Sequence, residues 1–385
     1  MTSTNRPDGI GERAHRLHER ALVIDTLAGG PGVYTPQMLA ELETIATIDS
    51  TADMFREIER LHTTAFRSHA YPDFWAAIDQ AGVDVLSITI GAWGDVPFSF
   101  RGAVHDLGEW HRRLEREPRF ALVRLPDDLQ TIKDEGRTGV LLGFQNCTQL
   151  EGDLRNAETF HGLGVRMIQL TYNGPNDAGY GCTSPRDEGL TGFGRALIQC
   201  MNDLGLIVDL SHCGPRTTLE AINHSQSPVA VSHASCSTVY RHTRNKSDDV
   251  LRALADNDGF FGVCAVPAFL APVDGRPALA HMIRHLAHAV ETCGPHRVGI
   301  GTDWGVACSP EPVRQRLQEE SRQRGFRSQD GFNFAARTVD FEQWAAGFPR
   351  ITQRLVDAGF DDHTIEGVLG QNFERFYRRV HQVAG

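Results

Sequence analysis

The chain has no apolar stretch long enough to cross a bilayer, which takes about 20 consecutive residues. Its eight cysteines are scattered and form no C-x-x-C pair, so neither a zinc ribbon nor a disulfide scaffold is indicated. Positive charge is in deficit: 38 Lys and Arg stand against 49 Asp and Glu, a net charge of −11. That balance argues against a nucleic-acid partner, which calls for a basic surface. The N-terminus, "MTSTNRPDGIGERAHRLHER", lacks the apolar core of a signal peptide, so a cytoplasmic protein without membrane attachment is expected. No Gly-rich phosphate loop, internal repeat or low-complexity segment is present. No Ser-His-acid or Cys-His-Asn set can be assembled from residue order alone.

What is present is a repeated unit. With 41% hydrophobic and 23% charged residues, the 385-residue chain has the composition of a globular protein with one large α/β barrel or two smaller domains. Eight short apolar runs recur, each with polar residues at its end and a helical stretch behind it. They are "ALVIDT" (21–26), "VDVLSITIG" (83–91), "TGVLLGFQN" (138–146), "VRMIQLTYN" (165–173), "GLIVDLSH" (205–212), "PVAVSH" (228–233), "GFFGVCAV" (259–266) and "RVGIGTD" (297–303). Each is near-continuously apolar rather than alternating, as strands covered on both faces should be. Between them, Gly205 reads as a helix stop and Ser247 as a helix N-cap followed by acids. Leu279, Ile283, Leu286 and Val290 recur at helical spacing. Eight β–α units predict a single (β/α)8 TIM barrel over 1–385, a fold that needs about 250 residues. The excess falls in 27–82 and 305–345 as insertions, the second a lid or a solvated surface excursion, and in closing helices over 346–385.

In such a barrel the active site lies at the C-terminal ends of the strands. The residues that finish the runs are Asp25, Thr89, Gln145, Tyr172, His212, His233, Cys264 and Asp303. Two histidines at equivalent places on consecutive strands suit a divalent metal, because neutral imidazole is a common ligand. An acid on the last strand can take a proton or orient substrate. The other histidines read as structural: His281, His285 and His288 on a helix facing solvent or helix contacts, His15, His18, His62 and His69 in polar helical stretches. The thiols of Cys147, Cys213, Cys236 and Cys264 read as packing residues, although Cys213 and Cys236 lie close in sequence to the two key histidines.

Several of these segments together resemble the membrane dipeptidase (renal dipeptidase, peptidase M19) family. They are "LGVRMIQLTYN" (163–173), "GLTGFGRALIQCMNDLGLIVDLSH" (189–212), "SHAS" (232–235), "RNKSDD" (244–249) and "GIGTD" (299–303). The resemblance implies an amidohydrolase-like barrel with a two-zinc site that hydrolyses dipeptides or related small amides. It places zinc ligands on His212 and His233, a carboxylate-binding arginine on Arg244 and the acid of the last strand on Asp303. Four positions depart from the family pattern. Its first-strand His-x-Asp pair falls on Leu27 and Gly29, its zinc-bridging glutamate on Gln145, and its fourth-strand histidine on Tyr172.

Leu27 and Gly29 offer a metal no donor, and neutral Gln145 cannot offset two adjacent dications. The expectation is therefore a degenerate, mononuclear zinc site, or none. His212 and His233 are its ligands, with Asp303 or Asp25 as the additional donor. Tyr172 and Asp303 are the candidate catalytic residues; Arg244, Gln145 and Asn173 are the candidate substrate-binding residues. The expected activity is metal-dependent hydrolysis of a small carboxylate-bearing amide. The alternatives are a lyase, decarboxylase or isomerase on a carboxylated metabolite, or a silent binding protein. A homodimer is expected from the resemblance alone.

Overall fold

The computed structural model describes residues 9–28, 36–50, 72–91, 98–272, 276–304 and 338–383, with isolated positions at 53–61, 311–319 and 336. Among the described residues nine strands are formed: β1 (Ile24–Ala28), β2 (Val85–Thr89), β3 (Phe120–Leu122), β4 (Thr138–Phe144), β5 (Val165–Gln169), β6 (Ile207–Asp209), β7 (Ala230–Ala234), β8 (Phe260–Val263) and β9 (Val298–Ile300). All are parallel. Eight follow one path, β1-β2-β4-β5-β6-β7-β8-β9. Beyond β9 the chain bridges Ala28 to Trp304, and the Asp303 N–H donates to the Leu27 carbonyl at 2.9 Å. These contacts close the sheet into the α/β TIM barrel that the eight apolar runs predict.

The ninth strand is absent from that expectation. β3 pairs with the first residues of β4, and β5 pairs with its last ones, so β4 serves two neighbours along one length. Three residues between Pro118 and Pro126 are too short to show a period.

The helices between strands carry the expected boundary chemistry. Thr191 caps the helix Gly192–Leu204 through the Gly194 N–H, and Gly205 ends it in the left-handed region at φ 69°. Ser247 caps Asp248–Asp256 through the Val250 N–H. In Leu279–Cys293 the buried face holds Leu279, Met282, Ile283, Leu286 and also His285. His285 therefore does not face solvent. Its Nδ1 accepts from the Cys236 N–H at 3.0 Å and its Nε2 donates to the Leu270 carbonyl at 3.0 Å. His18 is likewise buried, between the Thr352 hydroxyl and the Ala81 carbonyl, each at 2.7 Å.

The C-terminal segment closes the barrel's N-terminal end. Phe373, Phe376, Tyr377 and Val380 form one buried cluster with Ile24, Val85, Leu141, Met167, Ile207, Ala230 and Phe260 of the strands. This segment is a helix Asp362–Glu366, a π turn over Gly367–Gln371 and a helix Asn372–Val383. Asn372 anchors it to β9 by donating to the Val298 carbonyl at 2.7 Å. With one end filled by side chains, the other end is left for the site. Of the expected insertions, 27–82 contains the helices Pro36–Ile45 and Pro72–Ala81, whereas Gly29 and most of "EPVRQRLQEESRQRGFRSQDG" lie outside the described residues.

Candidate active site at the barrel mouth

His212 and His233 follow β6 and sit on β7. Both are fully buried, and their Nε2 atoms face each other at 3.0 Å. Burial holds both imidazoles well below the usual histidine range, with the Arg244 cation adding to the effect. Behind His212, Nδ1 meets the Asn173 side-chain oxygen at 2.8 Å. Behind His233, Nδ1 meets the Ser232 hydroxyl at 2.8 Å. Tyr172 stacks on the His212 ring, with centroids 4.0 Å apart and planes inclined by 21°.

Asp303 lies past β9 with φ 55°, a left-handed conformation that non-glycine residues adopt rarely. Its carboxylate makes no hydrogen bond or ion pair among the described residues. Burial pushes its pKa up to about 6, against the pull of Arg244. A carboxyl group poised there accepts and returns protons near neutral pH.

Arg244 is fully buried and braces the two histidine strands. It donates to the Ser211 carbonyl at 2.5 Å and to the His233 carbonyl at 2.9 Å. Its Nε is buried without a partner among the described residues, so that N–H of the guanidinium is an unspent donor. Gln145 donates from Nε2 to the Thr89 hydroxyl at 2.7 Å and is partly exposed. Asn173 lies behind the imidazole: its oxygen takes His212 Nδ1 and also the Cys182 thiol at 3.3 Å.

Asp25 is placed differently. It is buried deep in β1, and its carboxylate accepts from the Thr302 N–H (2.8 Å), the Thr302 hydroxyl (2.6 Å) and Trp344 Nε1 (3.2 Å). Burial pushes its pKa up to about 7, with Thr302 and Trp344 pulling it down. These bonds commit it to joining β1, the end of β9 and the helix Trp344–Asp357. Among the described residues no group of three or more His, Cys, Asp and Glu side chains is placed to hold a metal. The three-ligand set expected with Asp303 or Asp25 is therefore not assembled there, Asp25 because its oxygens are already engaged. The histidine pair itself suits a single ion: two nitrogens 3.0 Å apart both lie within reach of one zinc, at a Zn–N distance of about 2.0–2.1 Å. Leu27 is buried and apolar, and Gln145 is neutral, so neither position supplies the charged side chain that a second ion calls for.

The two thiols close in sequence to the histidines are packing groups. Cys213 accepts from the Thr171 hydroxyl, Cys236 donates to the His285 carbonyl, and burial raises both.

A parallel eight-stranded barrel with an imidazole pair and a carboxyl group at its mouth is an amidohydrolase-like barrel. A family profile described as membrane dipeptidase (peptidase family M19) matches residues 11–324, and the chain belongs to that family. It is 28% identical over 290 residues to dipeptidase verJ of Clonostachys rogersoniana, covering 74% of this chain and 67% of that protein. It is 32% identical over 265 residues to the uncharacterized dipeptidase C965.12 of Schizosaccharomyces pombe, covering 67% and 57%. The matched region thus spans between about half and two thirds of these curated relatives. Among solved structures, an amidohydrolase from Pseudomonas aeruginosa superposes with a TM-score of 0.75 at 26% identity, covering 96% of this chain and 99% of that one. A metallo peptidase from Rhodobacter sphaeroides, liganded with a phosphinate mimic of L-Ala-D-Ala, shares the fold with a TM-score of 0.68 at 18% identity, covering 94% and 99%. Among the described residues no helix is long and apolar enough to cross a membrane.

Proposed function

We propose that the protein is a metal-dependent hydrolase of the dipeptidase type, acting on a small amide that carries a carboxylate, with one zinc ion rather than two. The observation that carries this reading is the pair of convergent, buried imidazoles, together with the Asp303 carboxyl group past the last strand, whose pKa burial raises to about 6. His212 and His233 hold the ion, which supplies Lewis acidity for activating water and polarising a carbonyl. Asp303 accepts the proton lost by the attacking water and returns it to the leaving amine. Its raised pKa keeps both its forms accessible near neutrality. Arg244 provides the cation and the unspent donor that attract the substrate carboxylate. The Tyr172 hydroxyl donates to the oxygen on which negative charge develops. Gln145 lines the pocket as a neutral hydrogen-bonding group.

The test is metal content by elemental mass spectrometry together with a dipeptide panel assayed with added zinc. One zinc per chain with turnover of at least one dipeptide is expected. Both should vanish in the His212→Ala, His233→Ala double variant. Absence of zinc after reconstitution, or zinc retained by the double variant, overturns the reading.

A further inference from the structure

The hydrogen bonds behind the two imidazoles form a closed account of protons. Asp209 receives the Ser211 hydroxyl at 2.6 Å on one carboxylate oxygen and the Ser232 hydroxyl at 2.6 Å on the other. Each serine has one hydroxyl hydrogen, and Asp209 takes both. The Ser232 oxygen can therefore only accept from His233, which places a hydrogen on His233 Nδ1. On the other side, the side-chain oxygen of Asn173 is an acceptor and nothing else, which places a hydrogen on His212 Nδ1. A neutral imidazole protonated at Nδ1 has a bare lone pair at Nε2. Both lone pairs then point at the same small volume, 3.0 Å apart. Two facing lone pairs repel; a cation bonded to both turns the contact into an attraction.

The backbone keeps this wiring in place. A Cβ on Gly262 or on Gly301 would lie 2.0 Å from the Ser232 carbonyl oxygen, so both glycines are required for β7 to seat where it does. A Cβ on Gly181 would lie 2.1 Å from the Tyr172 carbonyl oxygen and 2.2 Å from that of Asn173, so a third glycine lets its loop press Asn173 into position. The two supports are independent, one running through β6 and β7, the other through the segment after β5.

We infer that Asn173 and the Asp209–Ser232 pair are positioning residues that lock His212 and His233 in the Nδ1–H form and so turn them into a two-nitrogen clamp for one cation. Asn173 thereby has a role different from contact with substrate. This inference rests on the metal reading above for its purpose, but the tautomers can be tested without any metal.

The first measurement is long-range 1H–15N correlation on metal-free, 15N-histidine-labelled full-length protein at pH 8. Resonances are assigned by their loss in His212→Gln and His233→Gln. Both rings should show a protonated Nδ1 and a bare Nε2; an Nε2–H form at either ring overturns the inference. The second measurement is zinc affinity by chelator competition. Ser232→Ala and Asn173→Leu should each weaken binding by about 10- to 100-fold. Asn173→Asp, which keeps an acceptor and cannot flip, should restore it. Affinity unchanged in both variants overturns the inference, and thermal melts run in parallel confirm that each variant is folded. If wild-type protein shows both Nδ1–H rings yet binds no zinc, the wiring stands and the metal reading falls.

Discussion

The two sides of the barrel mouth are built from similar residue types and do opposite things with them. On the β6–β7 side, polar groups point their unsatisfied valences outward. Asp209, Ser211, Ser232 and Asn173 are spent on holding two imidazoles whose Nε2 atoms converge on each other at 3.0 Å. On the β1–β9 side, the polar groups satisfy one another. Asp25 is consumed by Thr302 and Trp344, and the Thr26 hydroxyl donates to the Ser232 carbonyl at 2.7 Å. Leu27 closes that side with an apolar side chain. A buried carboxylate is thus no sign of a metal site in itself. What distinguishes the two sides is whether the hydrogen bonds engage the ligating atoms themselves, as at Asp25, or only the far side of the ring, as at His212 and His233, whose Nε2 atoms are left to face each other.

Asp303 stands between the two sides, held by backbone to Leu27 and by charge to Arg244. The largest effect is therefore expected from Asp303→Asn. It should lower kcat/KM by about 10²- to 10⁴-fold, the usual worth of a general base or acid. In the wild type, activity should rise with pH through about 6 as the carboxyl group ionises, and the variant's residual activity should lack this limb. Steady-state kinetics from pH 4.5 to 8 reads both; a variant with wild-type activity would assign the proton transfer elsewhere.

Asp25→Ala should leave zinc content intact and damage the fold instead. It strands the Thr302 N–H, the Thr302 hydroxyl and the Trp344 indole N–H inside the barrel, which costs about 3 kcal/mol or more. The pH dependence has a definite sign. The folded-state pKa of about 7 lies above the unfolded value, so the folded chain binds this proton more tightly. Its contribution is full at low pH and is lost as pH rises between about 4 and about 7. The gap in stability between wild type and variant should therefore narrow across that window in urea titrations. A gap that widens would show that these three donors outweigh burial, and a loss of zinc would break the distinction between the two sides.

Much of this architecture is legible in the residues. The strands of the barrel path announce themselves because burial on both faces makes them continuously apolar, and their last residues then fall at the mouth by the geometry of the fold. His212, His233 and Asp303 are found that way. β3 is not, because three residues carry no period. The burial of His285 had a signal: it shares the helix face of Met282 and Ala289, at spacings of three and four residues. The roles of Asn173, Ser232 and Asp209 had none, since a polar residue beside a ligand reads the same whether it faces the ligand's back or the solvent. Those roles depend on which atom donates, and donors are assigned by the whole network rather than by any one residue.

The smallest effect is expected from a change aimed at the side that lacks an open nitrogen. Leu27→His puts an imidazole where the family pattern has one. A single new donor has no partner there: Asp25 is already bonded, and Gln145 carries no charge to balance a second dication. Zinc stoichiometry should therefore remain that of the wild type. Stability should fall by about 1–2 kcal/mol, the cost of a polar group replacing a buried apolar one. Adding Gln145→Glu supplies the missing negative charge and should be the step at which a second equivalent of zinc begins to bind, if charge balance is the limiting factor. A second zinc taken up by Leu27→His alone would mean that the β1–β9 side is closed by one side chain and not by its hydrogen-bond network.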